Sequence, residues 1–137
     1  MKKIICLLVF FVIVGSLIAQ YLPVEIVNNA EDNIGSQLVT MFRDLIRKSS
    51  SYMVGYSSSE PHFKVKIDTM DRWKGDKYYE GLSTIYNYTI IISLNDIDIY
   101  CFSQLGYAGK DVIDEVAYQI YSDLDEFVEK LKYFIFR

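Results

Sequence analysis

From His62 onward the chain runs with a period of two, and no other feature constrains its fold more. Phe63, Val65 and Ile67 alternate with Lys64, Lys66 and Asp68, the pattern of a strand with one dry face and one wet face. A second run over 84–94 places Tyr86, Tyr88, Ile90, Ile92 and Leu94 on one side. Asn95-Asp96 is a tight-turn pair, after which 97–105 returns as a third strand. These segments predict an antiparallel meander over about 62–73, 84–94 and 97–105. The stretch between the first two strands holds turn signals at Lys74-Gly75-Asp76 and at Gly81.

Two helical stripes flank the meander. Ile34, Leu38, Phe42, Leu45 and Ile46 recur at helical spacing and predict a helix over about 34–49. Arg43, Asp44, Arg47 and Lys48 occupy its wet side, and its basic end suits the negative helix terminus. Ile113, Val116, Ala117, Ile120, Leu124, Phe127, Val128, Leu131 and Ile135 form a longer stripe. It predicts a helix over about 112–135 with Asp111 as its N-cap. Leu22 to Val27 reads as a short strand that Pro23 confines to an edge or a strand start. Asn28 to Asn33 reads as a loop, and Tyr52 to Tyr56 as another short strand. Two amphipathic helices must bury their stripes on one face of a sheet. The expected fold is therefore α+β, a two-layer sandwich with a mainly antiparallel sheet covered on one face. The other face carries Lys64, Lys66, Asn87, Thr89 and Ser93, and is expected to be open to water or to a partner.

The first twenty residues read as an address. Lys2 and Lys3 precede an apolar run from Ile4 to Val14, and Gly15, Ser16 and Ala19 follow. A charged start, a short apolar core and small residues at the exit make a secretory signal peptide. The domains expected are a signal over 1–19 and one α+β domain over 20–137. Export to the periplasm or beyond is the expected localisation. The alternative is an uncleaved N-terminal anchor, because Tyr21-Leu22-Pro23-Val24 prolongs the apolar stretch, and membrane contact is expected only in that case. Cys6 lies inside the apolar run with no small residues before it, which does not suit a lipidation site.

Charge and cysteine content exclude several roles. Of 137 residues, 14 are basic and 18 acidic. Removing Lys2 and Lys3 makes the balance more acidic still. Nucleic-acid binding is not expected, because phosphate neutralisation supplies most of that affinity. Adhesion to an anionic lipid surface is not expected either. Without the signal only Cys101 remains, so no disulfide can form within the chain and the core must hold the domain. Cys101 reads as a small buried hydrophobe, with pairing between chains as the alternative. The oligomeric state is not legible.

No catalytic, cofactor or metal constellation emerges. Gly106 to Asp111 is a glycine loop before a helix, but it has two residues between the glycines and an aspartate after Lys110. A phosphate loop needs four, then Ser or Thr. His62, the single histidine, reads as exposed at a strand start, without a nucleophile elbow or a ligand set around it. Asp123, Asp125 and Glu126 on the last helix read as a solvated face, not a calcium loop. The best binding candidates are Trp73, Tyr78 and Tyr79, which could stack on sugar rings or enter a partner, or fold back on the sheet edge.

The stretch from Asp32 to Tyr52 (DNIGSQLVTMFRDLIRKSSSY) resembles small exported bacterial proteins of unknown function. So do Ser83-Thr-Ile-Tyr86 and the run from Ser103-Gln-Leu-Gly106 to Gly109. The helix ending in Ser50-Ser51-Tyr52 before a strand also resembles, at the level of fold, envelope domains related to the TolB N-terminal domain. The resemblance implies an α/β domain and transfers no functional residue. The function expected is a non-enzymatic interaction module of the bacterial envelope or extracellular space. Its surface would be the open sheet face, an edge strand that pairs with a partner, or the aromatic loop. A small-ligand or glycan binder using the 72–80 loop is the alternative, and a small hydrolase the least favoured.

Overall fold

The computed structural model describes residues 21–57, 60–95 and 97–135. The signal-peptide reading of 1–19 and part of the Asn95-Asp96 turn lie outside the described residues. The elements, in chain order, are β1 (Leu22–Ala30), α1 (Asn33–Lys48), β2 (Tyr52–Val54), β3 (His62–Asp71), β4 (Ser83–Leu94) and β5 (Ile97–Gly109). A 3-10 turn (Lys110–Val112) then leads into α2 (Ile113–Ile135). The five strands form one sheet in the order β2-β1-β3-β4-β5. β1 runs parallel to both β2 and β3, whereas β3-β4-β5 is the antiparallel meander. The expected α+β sandwich is therefore present, with a mixed sheet and two helices on one face.

The core forms where the stripes meet. α1 buries Ile34, Leu38, Val39, Phe42 and Ile46. α2 buries Ile113, Ala117, Ile120, Leu124 and Val128. They close on Val24, Val65, Ile67, Tyr88 and Ile90 from the sheet. Each fully buried Leu, Ile or Phe contributes about 1.5–3 kcal/mol of hydrophobic free energy. Asp32 caps α1, accepting from the Gly35 amide at 3.2 Å. The same Oδ1 accepts from Thr69 Oγ1 of β3 at 2.6 Å and lies 3.1 Å from Thr84 Oγ1 of β4. One carboxylate thus fixes where the helix starts and which strands it starts over.

Three boundaries and the place of one strand differ from the sequence expectation. β1 continues through Asn28 and Asn29 to Ala30, because the ladder to β3 continues to Thr69. β5 continues past Leu105 to Gly109, paired with β4 down to Ser83, so the glycine segment is strand and not loop. Asp111 is not the N-cap of α2, since the helix is entered through the 3-10 turn capped by Gly109 without a side chain. β1 is also an interior strand. Pro23 is tolerated because it stands at the strand start, before the β1–β3 ladder begins at Val24.

Candidate binding surface

Away from the helices the outer sheet face is more closed than the pattern predicts. Thr89, Ile91 and Ser93 are buried. Lys64 there lies across from Ile91 and donates to Asp98 at 2.9 and 3.0 Å, with Glu25 3.5 Å away. Desolvation pulls the Lys64 ammonium down, but Asp98 and Glu25 outweigh it and hold it above its ordinary value. The hydrogen bond from Lys64 holds the Asp98 carboxyl below its ordinary value, against desolvation.

His62 joins this network, and its expected exposure is wrong. It is buried because the connection from β2 brings Tyr56 onto the ring, with centroids 4.5 Å apart. Nδ1 lies 2.9 Å from the Glu60 carbonyl and Nε2 3.1 Å from Glu25 Oε2. The ring nitrogens thus face a carbonyl and a carboxylate, and neither hydrogen bond is to a Ser, Thr or Cys side chain. The arrangement braces β1 against β3.

Of the three acids Asp123, Asp125 and Glu126 on α2, Glu126 lies on a solvated face, paired with Lys130, but Asp123 and Asp125 do not. Asp123 Oδ2 accepts a short hydrogen bond from the Tyr88 hydroxyl, and Oδ1 accepts from the Gln119 amide at 2.8 Å. Asp125 accepts from the Tyr52 hydroxyl at 2.8 Å. Burial, then the carboxylate partners, push both tyrosine hydroxyls far above their ordinary pKa. They remain protonated donors that tie α2 to β4 and β2. The sequence hides this role because an acid off the apolar stripe looks the same whether it meets water or a buried hydroxyl. Among the described residues no three His, Cys, Asp or Glu side chains gather as metal ligands.

Trp73, Tyr78 and Tyr79 sit in the connection between β3 and β4, and all three are exposed. The loop is internally tied. Asp71, itself buried, accepts from the Trp73 amide at 2.7 Å and the Gly81 amide at 2.6 Å. Asp76 accepts from the Tyr78 and Tyr79 amides. Trp73 and Tyr79 are brought together, with ring centroids 5.5 Å apart, while Tyr78 projects away and is 79% exposed. Arg72 lies over Trp73 at 4.9 Å and over Tyr107 of β5 at 4.8 Å. Sequence reasoning misses that clamp, because Tyr107 falls in a segment that reads as loop.

The clamp joins the loop to β5, the feature that stands out on the surface. The sheet has two edges. β2, at one, is three residues long. β5, at the other, is thirteen residues long and mostly exposed. Ile97, Ile99, Tyr100, Phe102, Leu105 and Tyr107 are exposed along it, and Asp98 is its single charged residue. One irregularity interrupts it, a register shift opposite Ile90 and Ile91 that leaves Cys101 as the extra residue. Cys101 is half-buried against the core, and desolvation raises its thiol pKa, partly offset by a backbone hydrogen bond from Ile92. A groove of about 140 Å³ runs between β5 and α2, lined by Cys101, Phe102, Asp123, Glu126, Phe127 and Lys130.

No family model matches the chain, and no curated protein matches it. Its fold is similar to that of a crystallised Xanthomonas campestris protein of family DUF330, at 10% identity over 74% of this chain and 82% of that one, with a TM-score of 0.51. Rare lipoprotein B from Shewanella oneidensis aligns at 10% identity over 80% of this chain and 98% of that one, TM-score 0.42. PelC from Paraburkholderia phytofirmans, crystallised as a dodecamer, aligns at 10% identity over 76% and 89%, TM-score 0.45. At these identities the likeness concerns the fold alone.

Proposed function

We propose that the chain is an exported, non-enzymatic interaction module that docks a partner protein along the free edge of β5. The contrast between the two sheet edges carries this reading. A long edge strand offers a row of unpaired amides and carbonyls, which folded proteins blunt with charged side chains, Pro, bulges, short length or a covering element. β5 carries neither Lys nor Pro, its one bulge at Cys101 leaves 102–109 unbroken, and most of its exposed side chains are apolar, on both faces. A partner strand laid beside it gains main-chain hydrogen bonds for affinity and flanking side chains for specificity. The Arg72, Trp73 and Tyr107 stack at one end supplies the residue types that dominate binding hot spots. Export rests on the pattern of residues 1–20 and is tested by the mass of the mature chain.

A photo-crosslinking amino acid placed at Tyr100 or Tyr107 tests the reading in living cells, with Tyr118 on the exposed side of α2 as control. Crosslinks to one defined chain from the β5 positions and none from Tyr118 are expected. Equal yields at all three positions, or none, would end it. A second reading, glycan binding, draws on the exposure of Trp73, Tyr78 and Tyr79 on a loop already held in shape by Asp71 and Asp76. It fails if Trp73→Ala leaves the binding of every glycan on an array unchanged.

A further inference from the structure

Granting that β5 is the docking edge, its own sequence and surroundings point to what lies against it. We propose that β5 pairs antiparallel with β5 of a second copy, about a two-fold axis at Leu105, to give one continuous ten-stranded sheet.

Three observations favour a second copy over an unrelated strand. The first is charge. Between Ile99 and Gly109 the strand has no ionisable side chain other than the Tyr hydroxyls and the Cys101 thiol. Self-juxtaposition therefore brings no like charges together, although the chain as a whole carries −4. The second is size. With Leu105 on the axis, Gln104 faces Gly106, Ser103 faces Tyr107, Phe102 faces Ala108 and Cys101 faces Gly109. Each larger side chain meets a small one, so the register packs without collision on either face. The pairing ends at Cys101, where the register shift bends the strand away.

The third observation is the groove beside β5. Phe102 and Ala108 lie on the helix side, opposite Ile90 and Thr84. Gly109 is still extended, at φ −80 and ψ 166, so Lys110 follows on that side. In the proposed register, Lys110 of the second copy arrives beside Cys101, over the groove whose rim holds Asp123 and Glu126. One exposed ammonium then meets Asp123, which accepts from Tyr88 and Gln119, and Glu126, which pairs with Lys130, a rim that keeps one net negative charge. The two-fold repeats the contact, giving an isologous interface.

The register makes a sharp prediction about thiols. Two Leu105→Cys side chains face each other on the axis, within disulfide reach. The two native Cys101 residues are separated by eight strand positions, about 26 Å at 3.3 Å per residue. The chain, expressed from its full 137-residue sequence, is purified as wild type, Cys101→Ser/Leu105→Cys, Leu105→Lys, Lys110→Glu and Lys110→Glu/Glu126→Lys. Sedimentation equilibrium should give a wild-type dimer at micromolar concentration. Mild oxidation should link Cys101→Ser/Leu105→Cys between chains and leave wild type unlinked. Leu105→Lys places two ammonium groups on the axis and should sediment as a monomer with an unchanged thermal melt. If it fails to fold, Lys110→Glu serves instead. It should weaken the dimer about fivefold, with Glu126→Lys restoring it. A monomeric wild type at high micromolar concentration overturns the proposal, as does linkage through Cys101 in preference to position 105. If that monomer still crosslinks from β5 to a different protein, the docking-edge reading survives without the self-pairing. If it crosslinks to nothing there, both fall.

Discussion

Gly35 shows how a single position can oppose its local propensity. It lies in the first turn of α1, where exchanging glycine for alanine ordinarily gains about 1 kcal/mol in helix propensity. A Cβ there would collide with Thr69 Oγ1 and stand 2.5 Å from Asp32 Oδ1, the atoms that hold the helix start to β3. Overpacking costs about 1–3 kcal/mol where neighbours can yield, and here yielding also breaks the Thr69–Asp32 hydrogen bond. Gly35→Ala should therefore destabilise by about 2–3 kcal/mol in urea unfolding. A midpoint at or above wild type would show that Asp32 is not the anchor. Asp98 is the second instructive residue. Its carboxyl pKa is lowered by Lys64, so its contribution is present above the ordinary carboxylate range and lost as pH falls through its folded value. The pair is partly solvent-exposed, at 20% and 31% for the two side chains, so Asp98→Asn should cost about 1 kcal/mol at pH 7. The difference should shrink as pH falls below the ordinary carboxylate range. An equal cost at pH 7 and below that range would mean that the side chain acts by packing alone.

At the scale of elements, what the sequence displays is what periodicity can carry. Both helices and all three meander strands are legible, because Ile34, Leu38, Phe42 and Ile46 face one way at period 3.6 and Phe63, Val65 and Ile67 at period two. Strand order is not legible. Nothing in Tyr52–Val54 says that it pairs with β1 and leaves β1 interior. The run of β5 beyond Leu105 is hidden because Gly106 and Gly109 look like turn residues. Gly106 is strand because the ring and hydroxyl of Tyr86 occupy the place where its side chain would stand. The aromatic loop is visible as composition, and its rigidity is not, since that depends on the buried carboxylate of Asp71 at the end of β3. Asp71→Ala leaves the Trp73 and Gly81 amides without their acceptor, which should cost about 1–3 kcal/mol. Trp73 is the chain's single tryptophan, so its fluorescence anisotropy reports the loop directly. A fall in anisotropy is expected while the far-UV spectrum stays unchanged. Unaltered anisotropy would mean that Arg72 and Tyr107, not Asp71, hold the loop.

At the scale of the whole molecule, the two layers are joined by an apolar core and by the Asp32 contacts of α1 with Thr69 and Thr84. For α2, two hydroxyl–carboxylate contacts join them as well, Tyr88 with Asp123 and Tyr52 with Asp125. These contacts make stability depend on pH at the alkaline end. In the unfolded chain a tyrosine loses its proton near pH 10. In the folded chain, burial and the adjacent carboxylates raise the pKa of both hydroxyls well beyond that. A raised folded pKa gives stability that is fully present below the unfolded pKa and lost as pH rises toward the folded one. Above pH 10 the unfolded state binds fewer protons than the native state, so unfolding becomes easier by about 1.4 kcal/mol per pH unit for each such group. Lys64, whose pKa is also raised, adds to the trend. Urea midpoints should therefore start to decline gently near pH 9, where the raised Cys101 thiol contributes, and fall steeply above 10. The ultraviolet titration should show Tyr52 and Tyr88, of the twelve tyrosines, ionising only with unfolding, and Tyr86, also raised by burial and by Asp123, ionising late. Tyr88→Phe should lower stability at pH 7 by about 1.5 kcal/mol, through the lost charge-assisted bond, and flatten the alkaline slope by one group. If the slope above pH 10 matched wild type in that variant, the Tyr88 hydroxyl would not be the group that couples α2 to the sheet. The hold of α2 on the sheet would then rest on the apolar stripe of Ile113, Ala117, Ile120, Leu124 and Val128 and on the Tyr52–Asp125 contact.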